Sequence, residues 1–107
     1  MDNDDRRKYP RIDLAFDVKY NTTDEPKARN SNAQNVSAGG VAFKTEKQYS
    51  EGTYVRVKLS QPDLTNELEF VGRVVRSLDR DGSIYTAIEF TEVNMASLEI
   101  LESIIYF

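Results

Sequence analysis

The sequence has no cysteine, no histidine and no long apolar run. Without cysteine there are no disulfides and no thiolate metal sites. Without histidine it lacks the commonest general base, the commonest metal ligand and any Ser-His or Cys-His nucleophile pair. Carboxylate-only or lysine-based chemistry stays open, but the chain also lacks a phosphate-binding Gly-Lys loop, so a protein that is not an enzyme is expected. No segment approaches the roughly 18 apolar residues a spanning helix needs, so no membrane insertion is expected. The opening residues, MDNDDRRKYPR, lack the apolar stretch of a secretory signal, and the expected location is the cytoplasm. Positive charge is not in excess either. The formal net charge is -4, whereas a protein that coats nucleic acid is usually basic, so no nucleic-acid partner is expected. Any anion site must be local.

What is present suits one small globular domain of 107 residues, 39% hydrophobic and 30% charged. Residues 1–11 read as a flexible arm with segregated charge. Asp2, Asp4 and Asp5 precede Arg6, Arg7, Lys8 and Arg11, and Pro10 favours extended backbone at Tyr9. Residues 12–107 read as the folded unit. Leu14, Phe16, Val18 and Tyr20 alternate with polar positions, the period of a half-buried strand. Turn chemistry follows at 21–27. The polar stretch 28–36 is open by pattern, and its latter part is read as a strand. Val41–Thr45, then Val55, Val57 and Leu59, give two more strands. Leu68–Leu78 is the longest strand signal, with Leu68, Phe70, Gly72 and Val74 on one face. Gly72 there signals a bulge or a close backbone approach. Asp79–Ser83 is a hairpin turn signal, and Ile84, Thr86, Ile88 and Phe90 form the last strand. Met95, Leu98, Ile100, Leu101, Ile104 and Ile105 recur near helical spacing, which predicts a helix at about 95–105 capped by Asn94. The expected class is all-β with a C-terminal helix. Six strands at this spacing fit a barrel or a sandwich, and a barrel would leave no exposed sheet edges. The helix is expected across a barrel opening or a barrel edge.

Two segments carry chemistry. In an extended arm, Arg7 and Arg11 lie four apart and point to one side. Each guanidinium is a planar fork suited to phosphate oxygens and to the O6/N7 edge of guanine, and each can lie flat on a base. Arg6 adjoins the pair. Twenty-three residues separate Arg11 from Asn35, which opens the second segment, Asn35-Val36-Ser37-Ala38-Gly39-Gly40. In a strand Asn35 and Ser37 share a face, where they could bond a purine edge or hold the arginines. Ala38, Gly39 and Gly40 permit a tight turn and a close ligand approach. The combination predicts an anionic, planar, purine-like ligand. Taken singly the parts are bland: a basic cluster is usually solvated, and Asn-x-Ser-x-Gly-Gly is usually a turn. Tyr9 and Tyr20 read as packing residues, and Arg73 and Arg76 as solvated ones, although either arginine could face a ligand.

These residues resemble the PilZ domain family, which carries an Arg-x-x-x-Arg arm and an Asp/Asn-x-Ser-x-x-Gly segment on a six-stranded antiparallel barrel. Arg7 and Arg11 match the arm, Arg6 the optional leading arginine, and Asn35, Ser37 and Gly40 the second segment. Gly72-Arg73-Val74-Val75 and Ala87-Ile88-Glu89-Phe90 look like the family's later strands. The resemblance implies cyclic di-GMP as ligand and no cofactor. Arg6, Arg7, Arg11, Asn35, Ser37, Gly39 and Gly40 are then the expected ligand-binding residues. It also implies a receptor or adaptor that closes its arm over the ligand and presents a changed surface to an unidentified protein partner. Arg6 points to an intercalated ligand dimer. The alternative is a PilZ-like interaction scaffold that binds no nucleotide.

Overall fold

The computed structural model describes residues 15–33, 35–62, 64 and 67–106. The arm with Arg6, Arg7 and Arg11 lies outside the described residues, as do Tyr9 and Leu14. Among the described residues, seven strands and one helix follow in order: β1 Phe16–Thr22, β2 Arg29–Ala33, β3 Asn35–Ser37, β4 Gly40–Thr45, β5 Tyr54–Ser60, β6 Leu68–Arg80, β7 Ser83–Val93 and α1 Met95–Tyr106. The strands form one antiparallel sheet in the order β2-β1-β5-β6-β7-β4-β3. Its far side curls back, so that Ser31 Oγ of β2 donates to Lys44 O of β4 at 2.7 Å. The result is a nearly closed barrel.

Seven strands stand where six were expected. The difference lies in the polar segment that periodicity left open. Its first part, β2, pairs with β1 (Phe16 opposite Ala33, Tyr20 opposite Arg29). Its second part, β3, pairs with β4 (Asn35 opposite Ala42, Ser37 opposite Gly40). One stretch of chain thus changes partner and bridges the two sides of the barrel.

Alternation works as the pattern predicts. β1 and β5 bury every second residue, and Phe16, Val18, Tyr20, Val55, Val57 and Leu59 fill the interior with Val36, Val41, Phe43, Leu68, Phe70, Val74 and Ile88. Each such side chain contributes roughly 1.5–3 kcal/mol by leaving water. The β6–β7 hairpin closes through Asp81 (φ 55°) and Gly82 (φ 88°), both left-handed, as a type I′ turn between Arg80 and Ser83 requires. Tyr20 is a packing residue, 5.0 Å from the Phe43 ring.

Among the described residues, every buried side-chain polar group is paired. Thr45 Oγ1 donates to Lys47 O at 2.8 Å, so the Thr86 hydroxyl must donate to Thr45, and Ser77 to Thr86. The Tyr49 N–H completes the chain by donating to Ser77 Oγ at 3.2 Å. This one-directional relay ties the β4–β5 loop to the β6–β7 hairpin.

Helix α1 begins where Asn94 Oδ1 accepts the Ser97 N–H at 3.1 Å, the expected N-cap. Its inner stripe is Ser97, Leu98, Leu101 and Ile104. Leu101 is fully buried, and Ser97 Oγ accepts the Glu69 N–H of β6 at 3.1 Å. Two apolar positions of the sequence pattern, Met95 and Ile100, face outward instead. Leu101→Ala should cost about 2–5 kcal/mol, read as a lowered urea midpoint with an unchanged slope.

Candidate functional site

The β3–β4 hairpin displays the second sequence segment. Ser37 and Gly40 face each other across it, with Ala38 and Gly39 as the two-residue turn. Ser37 Oγ accepts the Gly39 N–H at 3.2 Å, which fixes the turn. Its own O–H is a donor of the kind a phosphate or purine acceptor takes. Gly39 O accepts the Phe90 N–H at 3.0 Å and anchors the hairpin to β7. Asn35 opens β3 opposite Ala42; its side chain is outside the description.

Gly40 has a specific structural reason to be glycine. A Cβ there would stand 2.2 Å from Ile88 O and 3.3 Å from Glu89 Cα, both backbone atoms of β7. The space a side chain would need is filled by the neighbouring strand. Gly72, on the other flank of β7, is held for the same reason, since its Cβ would lie 2.5 Å from Glu89 O. It also sits at a register shift, so both readings of Gly72 apply. The two glycines let β4 and β6 grip the Ile88–Glu89 peptide closely.

The register extends the hairpin sideways. Ser37, Gly40, Glu89 and Arg73 stand in one row across β3, β4, β7 and β6. Arg73 Nη2 lies 3.3 Å from Glu89 Oε1, and both side chains are about half exposed. An ion pair so solvated is worth at most about 1 kcal/mol and can open at little cost. Glu89 and Arg73 therefore neighbour the hairpin. No signal in a single sequence gives this, because strand register is not written in periodicity. The expected site is thus divided: Ser37, Gly39 and Gly40 come together on one turn, Asn35 adjoins them by register, and Arg6, Arg7 and Arg11 fall outside the described residues.

A second polar cluster lies at the other end of β4, about 17 Å away by strand rise. The Glu25 side chain is only 10% exposed and 3.2 Å from Arg29 Nε. It accepts the Thr22 N–H at 2.9 Å and the Tyr49 O–H at 3.1 Å, with Lys47 Nζ at 3.5 Å. Arg29 also pairs with Glu46. Burial alone would raise the Glu25 pKa, but the Thr22 N–H, Tyr49, Arg29 and Lys47 outweigh it and hold it down at about 2. Burial and then the Glu25 charge push the Tyr49 hydroxyl up, so Tyr49 stays a donor. Shifted carboxylates often mark active sites, but this one is saturated with donors and locks the β1–β2 turn to the β4–β5 loop. Because the folded pKa lies below the ordinary value of 4.5, the stabilisation is complete above about pH 4.5 and lost as pH falls toward 2. Glu25→Gln should cost about 2 kcal/mol at pH 7, allowing for the partly exposed partners, and should flatten the acid limb of a stability–pH curve.

The chain belongs to the PilZ domain family, whose family model matches residues 5–107 and so takes in both sequence segments. No curated protein matches it by sequence. Among solved structures it is similar to the Bacillus subtilis inhibitor of motility, with a TM-score of 0.78 at 20% identity over 94% of this chain and 50% of that one. The chain therefore spans about half the length of that protein. It is also similar to the Escherichia coli YcgR PilZ domain solved with c-di-GMP, with a TM-score of 0.73 at 17% identity over 94% of this chain and 89% of that one. A third is MrkH of K. pneumonia, described as a c-di-GMP-dependent transcription regulatory factor. Its TM-score is 0.69 at 19% identity, over 94% of this chain and 50% of that one. Among the described residues, no helix is long and apolar enough to cross a membrane.

Proposed function

We propose that this chain is a cyclic di-GMP receptor that acts on a partner protein and performs no chemistry of its own. The observation that carries the reading is the family match across both segments, joined to a β3–β4 hairpin that presents Ser37 and a glycine turn at the surface. The ligand docks against this hairpin, and Arg7 and Arg11 close over it. Ordering the arm costs conformational entropy. Charge-assisted bonds to phosphate and stacking on guanine offset that cost. Arg6 adds a contact for a second, intercalated nucleotide. The changed surface of the closed arm is what a partner reads. That partner is a protein rather than a nucleic acid, because the net charge of -4 opposes phosphate coating.

Calorimetric titration with cyclic di-GMP tests the reading. A dissociation constant of about 1 μM, or −8 kcal/mol, is expected, with a stoichiometry above one if the dimer forms. A flat titration would replace the receptor by a nucleotide-independent scaffold.

A further inference from the structure

Past the inward row of Val36, Val41, Ile88 and Val74, the next row on the face of Ser37–Gly40–Glu89–Arg73 is Asn35, Ala42, Ala87 and Arg76, again crossing β3, β4, β7 and β6. It spans about 14 Å, three inter-strand spacings. Its middle is nearly bare: Ala42 is exposed and Ala87 half-buried. Arg76 closes its far end and is exposed.

Simple alternation does not put Arg76 there. Leu68, Phe70, Gly72 and Val74 point inward, so period two would bury Arg76. The register shift between Val74 and Arg76 makes Val75 an extra residue. Beyond it Ser77 turns inward, its Oγ 2.7 Å from Thr86 Oγ1, and Arg76 turns outward opposite Ala87. Bulges re-aim side chains in this way beside binding sites. The following row adds Lys44, Tyr85 and Leu78. Tyr85 is 45% exposed and shares its outward side with Ala87, two residues along β7.

An exposed phenol ring beside a bare two-alanine shelf, with Lys44 and Arg76 at its flanks, matches a flat anionic ligand. The ring supplies a stacking face, the shelf supplies room, and the cations supply donors. From this we infer that Ala42, Ala87, Tyr85 and Arg76 form the second half of the ligand surface. The guanine not held at the hairpin lies on the alanine shelf against Tyr85, and Arg76 donates to its O6/N7 edge or to a phosphate. The inference rests on the cyclic di-GMP reading of the hairpin and adds where the second base goes.

Calorimetry on four variants tests it, with urea melts to show that each is folded. Tyr85→Ala and Arg76→Ala should each weaken cyclic di-GMP binding about 5- to 100-fold, the range for a lost stacking or bidentate contact. Tyr85→Phe should stay within about threefold, since the ring is kept. Ala42→Leu, at an exposed position, should weaken binding about tenfold or more by occupying the shelf. Wild-type affinity in Tyr85→Ala, Arg76→Ala and Ala42→Leu, with binding lost in Arg11→Ala, would overturn the shelf and leave the hairpin reading standing. A flat wild-type titration would overturn both.

Discussion

Gly40→Ala should destabilise the protein by at least about 3 kcal/mol, more than the usual cost of a surface substitution. The added Cβ would stand 2.2 Å from Ile88 O, and that oxygen belongs to backbone. A flexible side chain could move aside, but a strand held on both edges cannot. β7 is paired to β4 on one side and β6 on the other. Gly82→Ala is the control. There φ is 88° but no atom lies within 4 Å of the new Cβ, so only the left-handed conformation is penalised, at about 1–2 kcal/mol. Urea melts of both variants separate the two effects. A Gly40→Ala midpoint equal to wild type would show that the strands can part, and would return Gly40 to the role of a ligand-approach residue.

Removing both arm arginines, Arg7→Ala with Arg11→Ala, should reduce cyclic di-GMP binding by at least about 100-fold, with each single variant losing about 5- to 150-fold. A bidentate guanidinium contact carries both the geometry and the charge, so Arg11→Lys should recover only part of the loss. Unlike Gly40→Ala, these changes are expected to act on binding alone and to leave the urea midpoint within about 0.5 kcal/mol of wild type. On the proposed function, the arm would contribute binding without stability, and Gly40 stability on which binding would depend. Full affinity in the double variant would remove the arm from the site.

The sequence was legible where one physical signal dominated. β1 and β5 alternate cleanly because one face is core and the other water. Asp81-Gly82 marks its hairpin because both residues tolerate positive φ, and Asn94 marks its helix because its amide oxygen meets the Ser97 N–H. Legibility failed where long-range pairing decides. The segment around β2 and β3 is mostly polar, with only Ala33 and Val36 in the core, so nothing local shows that it changes partner from β1 to β4. The phase change at Val75 is hidden because two adjacent valines fit either face. Arg76 then looks like any solvated arginine until the register places it opposite Ala87. The Glu25 cluster draws on Thr22, Arg29, Lys47 and Tyr49, whose meeting depends on barrel closure. Spacing places Ser37 and the glycines on one turn, whereas Glu89 and Arg73 beside them could not be placed there from the sequence.

The decisive experiment is amide chemical-shift mapping of the isotopically labelled chain during a cyclic di-GMP titration. Large, saturable shifts should be confined to the arm, the turn between Asn35 and Ala42, and the outward positions of β7 from Tyr85 to Glu89. Little should change at the Glu25 end of the barrel. Saturable shifts centred on that opposite end, with the amides of Ser37, Gly39 and Gly40 unmoved, would contradict binding at the hairpin.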